Sequence, residues 1–594
     1  MKRISILVLL LNMTMFINAQ QAVLPLGAEA TGSGGMVSFS IGQVYYNTYI
    51  TGSGTQEEGI QIPIFKLIYT GGLWSPIAPS VSTGSSEAFI LDGYYTLSSD
   101  ASVKDLEIAP GGAIKIDSGA NLTTNTLTLG STSTSYSSLI LDGTITGTVY
   151  YNRSVNAYTN DDTNNDNDLV SAPLTGQAFG SFATANTNLL ASGTLRAFAP
   201  FNKATGTYTN YDTSANSSTS ITAGTGYRAA TTNGGTLTFT GTVETGDVAV
   251  NIINSGPYYA TWNLVGNPYP SYVDMSAFLN HEVDSGITNL NLLENASGIY
   301  GYDGDASDGW DIITLANVGS RLLAPGQGFF VAADANDVAS YNLAFTPAMR
   351  TTGTSDDFIL GREANPLTFL KLHASTTNNS YKTEFYFNDN ASTGLDAGYD
   401  AVIWGGNVPN FALYSHLVEE NTGVPIALQA LGSTDISDIT IPLGVKSNAG
   451  TQLTIRISDS NLPTSLDVYL EDVIANTTTL LTTRDYIITP DSNLDGTGRF
   501  FLRLTNNTLS TPTSSQDYIQ IYTTRSPKEV LIKGQLQGAA TAYLYDMQGR
   551  LVRQQNLNAS RTTNTIDVAS ISDGVYVVKL VNNQQIKTQK VLIK

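Results

Sequence analysis

Oxygen donors are the side chains whose spacing suggests a reaction or a ligand. Asp491-Ser-Asn-Leu-Asp-Gly496 places Asp491, Asn493 and Asp495 at alternate positions before a glycine. That is how the first half of a calcium loop offers hard oxygens and then turns sharply. The second half does not follow, because Leu502 stands where a Glu would close the coordination shell. Asp161-Asp-Thr-Asn-Asn-Asp-Asn-Asp168 and Asp303-Gly-Asp-Ala-Ser-Asp-Gly-Trp-Asp311 are equally dense in oxygen. Asp, Asn and Gly are also what tight turns are made of. On residue types alone the turn is the simpler account, and calcium held by Asp491, Asn493 and Asp495 is the more specific one.

Other chemistry is poorly supplied. His281, His373 and His416 are the three histidines, far apart in sequence, and no Gly-x-Ser-x-Gly or His-Glu-x-x-His motif accompanies them; nucleophilic triads and zinc hydrolysis are disfavoured. With no cysteine there are neither disulfides nor thiolate sites. A pair of carboxylates for glycoside hydrolysis needs no motif, only the right separation, so a polysaccharide-degrading enzyme stays open beside a non-enzymatic binder. The 31 tyrosines would serve as sugar-stacking platforms or, more simply, as cross-strand packing. A net charge of −21 with 13% charged residues argues against nucleic acid as a partner, since that affinity depends on neutralising phosphates.

The elements that must position these groups read as strands almost throughout. Lys2-Arg3, the apolar run from Ile4 to Leu11 and Ala19 before Gln20 describe a signal peptide over residues 1–19, cleaved after Ala19. That run is too short for a membrane span of about 20 residues, and no later stretch is long enough, so no transmembrane segment is expected after signal removal. Residues 20–64 are Gly-rich and alternating, as in Met36-Val-Ser-Phe-Ser-Ile41, which predicts a β-hairpin module. Residues 65–150 carry very short strands, Leu106-Glu-Ile108, Ile114-Lys-Ile116, Leu127-Thr-Leu129, Leu139-Ile-Leu141 and Thr144-Ile-Thr146, separated by glycines. Strands this short bury little alone, so a stacked β-helix or solenoid is expected.

Residues 151–355 predict a jelly-roll-like antiparallel β-sandwich. Asp168-Leu-Val-Ser-Ala-Pro173 and Trp262-Asn-Leu-Val-Gly-Asn-Pro-Tyr-Pro270 each run an apolar strand into proline, which cannot donate to a ladder and ends it. Ala324-Pro-Gly-Gln-Gly-Phe-Phe-Val331 reads as a turn feeding a buried strand, and short helices are expected at residues 276–279 and 289–295. A second sandwich is expected over 356–522, with strands at 369–373, 383–387, 451–457, 466–470 and 499–504. The fold class is thus all-β and multidomain: a short solenoid, antiparallel sandwiches and a C-terminal immunoglobulin-like sandwich.

That last module, residues 525–594, is built from Glu529-Val-Leu-Ile-Lys533, Leu544-Tyr-Asp-Met-Gln-Gly-Arg550, Asp573-Gly-Val-Tyr-Val577 and Lys590-Val-Leu-Ile-Lys594. It holds ten Lys or Arg against four Asp or Glu in a chain whose net charge is −21, so it is electrostatically distinct from the rest. The last three pieces, in this order at the chain's end, resemble the type A C-terminal sorting domain of substrates of the Bacteroidetes type IX secretion system. Arg525-Ser-Pro-Lys528 departs from the Pro-Asn-Pro turn with which that family opens. The resemblance implies handling of residues 525–594 by the secretion machinery and its sortase, passage through the periplasm, and an extracellular or outer-membrane-surface destination. An extracellular glycan or surface ligand is the expected partner there.

Overall fold

In the computed structural model, Leu67, Ala88, Leu106, Leu127 and Val149 stand beside one another on successive parallel strands. Tyr69, Ile90, Ile108, Leu129 and Tyr151 form a second such row, and all ten side chains are buried. These rows line the inside of a parallel β-solenoid made by Leu67–Thr70, Ala88–Ile90, Asp105–Ile108, Asn121–Leu129 and Thr144–Ser154. A second parallel sheet, Tyr94–Leu97, Ala113–Ile116 and Ser138–Leu141, closes the other side of the coil. Each short strand contributes two or three inward side chains, and only stacking turns them into a continuous core. Thr236–Gly241 pairs antiparallel with the last coil, and beside it the helix Phe179–Ala185 inserts Phe179 and Phe182. Phe182 lies 4.9 Å from Phe239, so aromatic rings plug the end of the solenoid core.

The structure describes residues 26–32, 35–41, 46–51, 54–59, 66–159, 166–203, 205–256, 258–302, 304, 309–354, 356, 367–506, 519–534, 536, 538–582 and 586–594. The expected signal peptide lies outside them. Met1–Lys66 and Leu67–Lys594 form separate compact units. The first contains two antiparallel hairpins, Leu26–Gly32 with Gly35–Ile41 and Tyr46–Thr51 with Gly54–Gly59. The chain is all-β and multidomain.

After the solenoid, the two proline-ended motifs and the Pro-Gly-Gln-Gly turn come together. Trp262–Gly266 pairs antiparallel with Gly328–Ala332, bringing Gly266 opposite Gly328. Asp168–Ser171 crosses at this point so closely that a β-carbon on Gly266 would lie 2.3 Å from the Ser171 β-carbon. The turn after the strand is held by buried Asn267, whose amide donates to the carbonyls of Ser271 (2.8 Å) and Ala324 (3.0 Å) while its oxygen accepts from the Tyr269 N–H (3.0 Å). The helix expected at 276–279 is present as Met275–Leu279, N-capped by Asp274. The one expected at 289–295 shrinks to a 3₁₀ turn, Leu290–Leu292. Glu294 N–H donates to Ala332 O, so pairing with the neighbouring strand pulls the chain out of helical geometry.

The second sandwich is one eleven-stranded sheet curled on itself. It is antiparallel except where Ser380–Asn388 runs parallel to Ile426–Gly432. Side chains from strands across its width, including Leu370, Phe385, Leu413, Leu443, Val468 and Phe500, share one core. The terminal strands of this sheet, Thr477–Leu480 and Tyr486–Ile488, are joined by a connector that spans at most about 20 Å. The edges are also tied by side chains, because Tyr486 donates its hydroxyl to Asp472 at 2.6 Å.

The terminal sandwich packs a three-stranded sheet, Gln520–Arg525, Lys528–Lys533 and Thr563–Asp567, against a four-stranded one. The latter is ordered Leu551–Leu557, Ala540–Asp546, Gly574–Asn582 and Ile586–Ile593. Arg525-Ser-Pro-Lys528 is its first hairpin turn, and the strand Gln520–Arg525 precedes it.

Candidate functional site

Three of the chain's four tryptophans, Trp262, Trp310 and Trp404, converge where the Trp262 sheet packs on the outer face of the curled sheet. Trp310 stacks on Trp404 with centroids 4.9 Å apart and planes 15° from parallel. Tyr259 leans over Trp404 at 5.0 Å, and Trp262 lies 5.7 Å from it. Tyr300 meets Trp262 edge-on at 4.7 Å and donates its hydroxyl to Val402 O at 2.8 Å, fixing one sheet to the other. Aromatic contacts in these offset and edge-on geometries add about 0.5–1.5 kcal/mol each beyond area burial. Trp310 itself is delivered by Gly309, whose φ of +103° is readily open only to a residue without a β-carbon. Trp310 and Trp404 are only partly buried.

Beside Trp310 lies a shallow depression whose lining includes Tyr381, Lys382, Glu384 and Leu428. Its polar wall is a chain of charges. Lys382 Nζ donates to Asp311 Oδ1 at 2.5 Å, Lys371 Nζ stands 3.3 Å from Glu384 Oε1, and the Tyr386 hydroxyl donates to Glu384 Oε2 at 2.7 Å. Lys371 and Glu384 are direct cross-strand partners, a favourable placement for opposite charges. Burial pushes the Asp311 carboxyl up in spite of Lys382. Burial would raise Glu384 too, but Lys371, Lys382 and the Tyr386 hydrogen bond hold it below the usual carboxylate range. The result is a partly exposed aromatic ring next to fixed, oppositely charged hydrogen-bonding groups.

The residues singled out from sequence are placed elsewhere. Asp491 is exposed in the bend before Leu494–Asn506. Asn493 accepts the Ala449 N–H at 2.9 Å, and Asp495 is on the strand opposite Lys446. Among the described residues no three His, Cys, Asp or Glu side chains form a group able to hold a metal. Residues 161–165, 303 and 305–308 of the other acidic stretches lie outside the described residues. Of their neighbours, Asp168 accepts the Asn156 N–H and side-chain amide, both at 2.8 Å, and Asn167 accepts the Tyr302 hydroxyl at 2.7 Å. His416 is buried and its pKa is pushed down to about 3, first by desolvation and then by Lys533, so it is neutral and packs as an aromatic.

Comparison with protein families now bears on this architecture. Residues 74–504, from the solenoid through the curled sheet, match a family described as a domain of unknown function, DUF8693. The chain belongs to the DUF8693 family. Residues 512–594 match the secretion system C-terminal sorting domain, which marks this DUF8693 protein as a type IX secretion substrate exported to the cell surface or extracellular space and engaging that machinery. No curated protein matches. A solved structure titled "Biofilm associated protein - BSP domain" aligns at 7% identity over 70% of this chain and 69% of its own, with a TM-score of 0.14, too distant a likeness to carry fold or function. No helix among the described residues is long and apolar enough to cross a membrane.

Proposed function

We propose that this DUF8693 protein is a non-enzymatic adhesion or glycan-binding factor of the Bacteroidetes cell surface, and that the depression beside Trp310 is where it holds its ligand. In this reading the leader, residues 1–19, takes the chain to the periplasm, and the secretion machinery with its sortase acts on residues 525–594. One observation carries the binding assignment: a partly exposed Trp310 ring, backed by Trp404 at 4.9 Å, adjoins Lys382, Asp311 and Glu384. A small number of placed polar groups beside an apolar surface is the general make-up of a small-molecule site. The aromatic face would take the C–H side of a sugar ring and the charged groups its hydroxyls.

The opposite pKa displacements of Asp311 and Glu384 favour a second reading, since carboxylates pushed apart in this way can divide acid and base roles. That reading is an extracellular polysaccharide-degrading enzyme using a carboxylate pair. Against it, Lys382 and Lys371 engage the two carboxylates. Incubating the full mature chain with a glycan panel, scoring both retention and product formation, separates the two. Retention without cleavage that is lost in Trp310→Ala is the expected result. Turnover abolished by Glu384→Gln would replace the binder with the enzyme.

A further inference from the structure

One of the two outer faces of the terminal sandwich is seated against the protein's own body; the other meets it at Lys590, whose Nζ stands 3.7 Å from the exposed Glu420 Oε1. On the three-stranded side, Tyr522 meets buried His416 edge-on at 5.5 Å. A β-carbon on Gly423 would lie 2.6 Å from the Tyr522 ring, and one on Gly498 would lie 3.0 Å from Gly534 N. That face is therefore seated in a notch of the body that has no room for larger side chains.

The four-stranded side is different. Its inward positions, Ala540, Ala542, Leu544, Val578, Leu580, Val591 and Ile593, are buried in the core. By strict alternation the intervening positions point out. Register sets Tyr545 beside Val577 and Lys590, Tyr543 beside Lys579 and Thr588, and Thr541 beside Val581 and Ile586. Tyr543 and Tyr545 stack at 6.4 Å and 23°, and Ile586 and Leu592 are 62% and 40% exposed. A sheet with one solvated face ordinarily turns polar residues outward, yet here valines and tyrosines occupy those positions. Outward positions on these strands carry Lys579 and Lys590 and no carboxylate, although the chain as a whole is strongly acidic.

We infer that this outer face, centred on Tyr543, Tyr545 and Val577 and edged by Lys579 and Lys590, is the surface through which the secretion machinery grips the protein, by way of an acidic partner surface with an apolar centre. The inference rests on the sorting-domain assignment. Charge decides the occupant. A second copy of the same face would bring lysine against lysine, whereas an acidic protein surface pairs with Lys579 and takes the place of the exposed Glu420 beside Lys590 while covering the valines and tyrosines.

The test uses the full-length chain in a host with an active type IX system. Lys579→Glu/Lys590→Glu changes only outward positions and breaks a single solvent-exposed ion pair, Lys590 with Glu420, which contributes little to stability, so the purified variant should melt close to wild type. Its surface display should fall by more than about tenfold, with folded protein accumulating in the periplasm. Lys579→Arg/Lys590→Arg should restore display, and Arg561→Glu, an exposed charge off this face, should leave it unchanged. Wild-type display of the Glu variant would overturn the inference, as would an equal loss in Arg561→Glu, which would reduce the effect to net charge. A chain lacking residues 525–594 separates the layers. If it is trapped while the Glu variant is displayed, only the face is wrong; if it too is displayed, the sorting assignment fails. Self-association of purified wild type that the Glu variant abolishes, with display unaffected, would reassign the face to contact with another copy's acidic body and refute the proposal.

Discussion

Replacing Asp472 by Asn should open the seam of the curled sheet. The carboxylate is fully buried and accepts five hydrogen bonds: Arg499 Nε (2.9 Å) and Nη2 (2.7 Å), the Tyr486 hydroxyl (2.6 Å), and the N–H groups of Ile474 and Ala475 (3.0 Å each). Asp472 ends Leu466–Asp472, next to one edge of the sheet, while Tyr486 begins the strand at the other edge. Asn keeps the shape but leaves the Arg499 guanidinium, itself only 17% exposed, without its counter-charge. Breaking one partner of such a pair costs about 3–5 kcal/mol. For a block of this size that is on the order of 10 °C in its melting transition.

Scanning calorimetry of the purified chain reads this shift, and hydrogen exchange should show lost protection in Tyr486–Ile488. Acidity supplies the internal control. Burial would raise the Asp472 pKa, but Arg499, Tyr486 and the Ala475 N–H bring it below the ordinary carboxylate value. Its contribution is therefore complete above about pH 4 and is lost as pH falls through the folded-state value, so the gap between wild type and variant should close in acid. A shift below about 2 °C, or a gap that ignores pH, would refute the reasoning.

Three further outcomes follow from other buried or acidic groups. Asp400 is fully buried, accepts the N–H groups of Asp396 and Ala430, and burial pushes its pKa up to about 7. Its neutral form is stabilising below about pH 4, and that stabilisation is lost as pH rises through 7. Wild type should lose a few kcal/mol between pH 5 and 8 that Asp400→Asn does not, measured by denaturant melts at each pH. Lys203 donates its ammonium to the carbonyls of Ile253 and Ala260 (2.6 Å each) and Trp262 (3.0 Å). Lys203→Met should destabilise by about 1–3 kcal/mol through unsatisfied acceptors, seen as a lower thermal midpoint. Calcium held by Asp491, Asn493 and Asp495, at the millimolar-range affinity of extracellular modules, would add on the order of 1.4 kcal/mol at ten times its dissociation constant. Chelator should then lower the midpoint slightly in wild type and leave Asp491→Ala unmoved, whereas no change in wild type removes the metal.

Where local pattern and global fold agree, the sequence was readable. Leu106-Glu-Ile108, Ile114-Lys-Ile116, Leu127-Thr-Leu129 and Leu139-Ile-Leu141 all lie in solenoid strands, because apolar residues two apart between glycines can bury only by stacking. The terminal strands were legible for the same reason. The helix Phe179–Ala185 was not. Gly180, Ser181 and Thr184 are weak helix formers, and Ala178 supplies no side-chain cap, so packing of Phe179 and Phe182 against the solenoid end imposes it. The closure of the curled sheet was invisible too, since Asp472, Tyr486 and Arg499 follow no period. The tryptophan cluster was missed because Trp262, Trp310 and Trp404 are brought together by sheet packing, and no spacing announces that. For Asp491, Asn493 and Asp495 the sequence offers two readings, because alternation in a loop and alternation entering a strand look alike. Asn493 accepts the Ala449 N–H, and the backbone of Asp495 is paired in the ladder.

The most direct test of the account is surface proteolysis of intact cells expressing wild type, a chain lacking residues 525–594, and one lacking only residues 590–594. The short deletion removes Val591 and Ile593, both buried, and uncovers the backbone edge of residues 574–577, the first half of the neighbouring strand. A sandwich of about 70 residues has little core to lose, and an uncovered strand edge is prone to mispairing. Wild type should be digested from outside, while both truncated chains remain protected with a folded body in the periplasm. Digestion of the tail-less chain from outside, with none of it in the periplasm, would contradict the account.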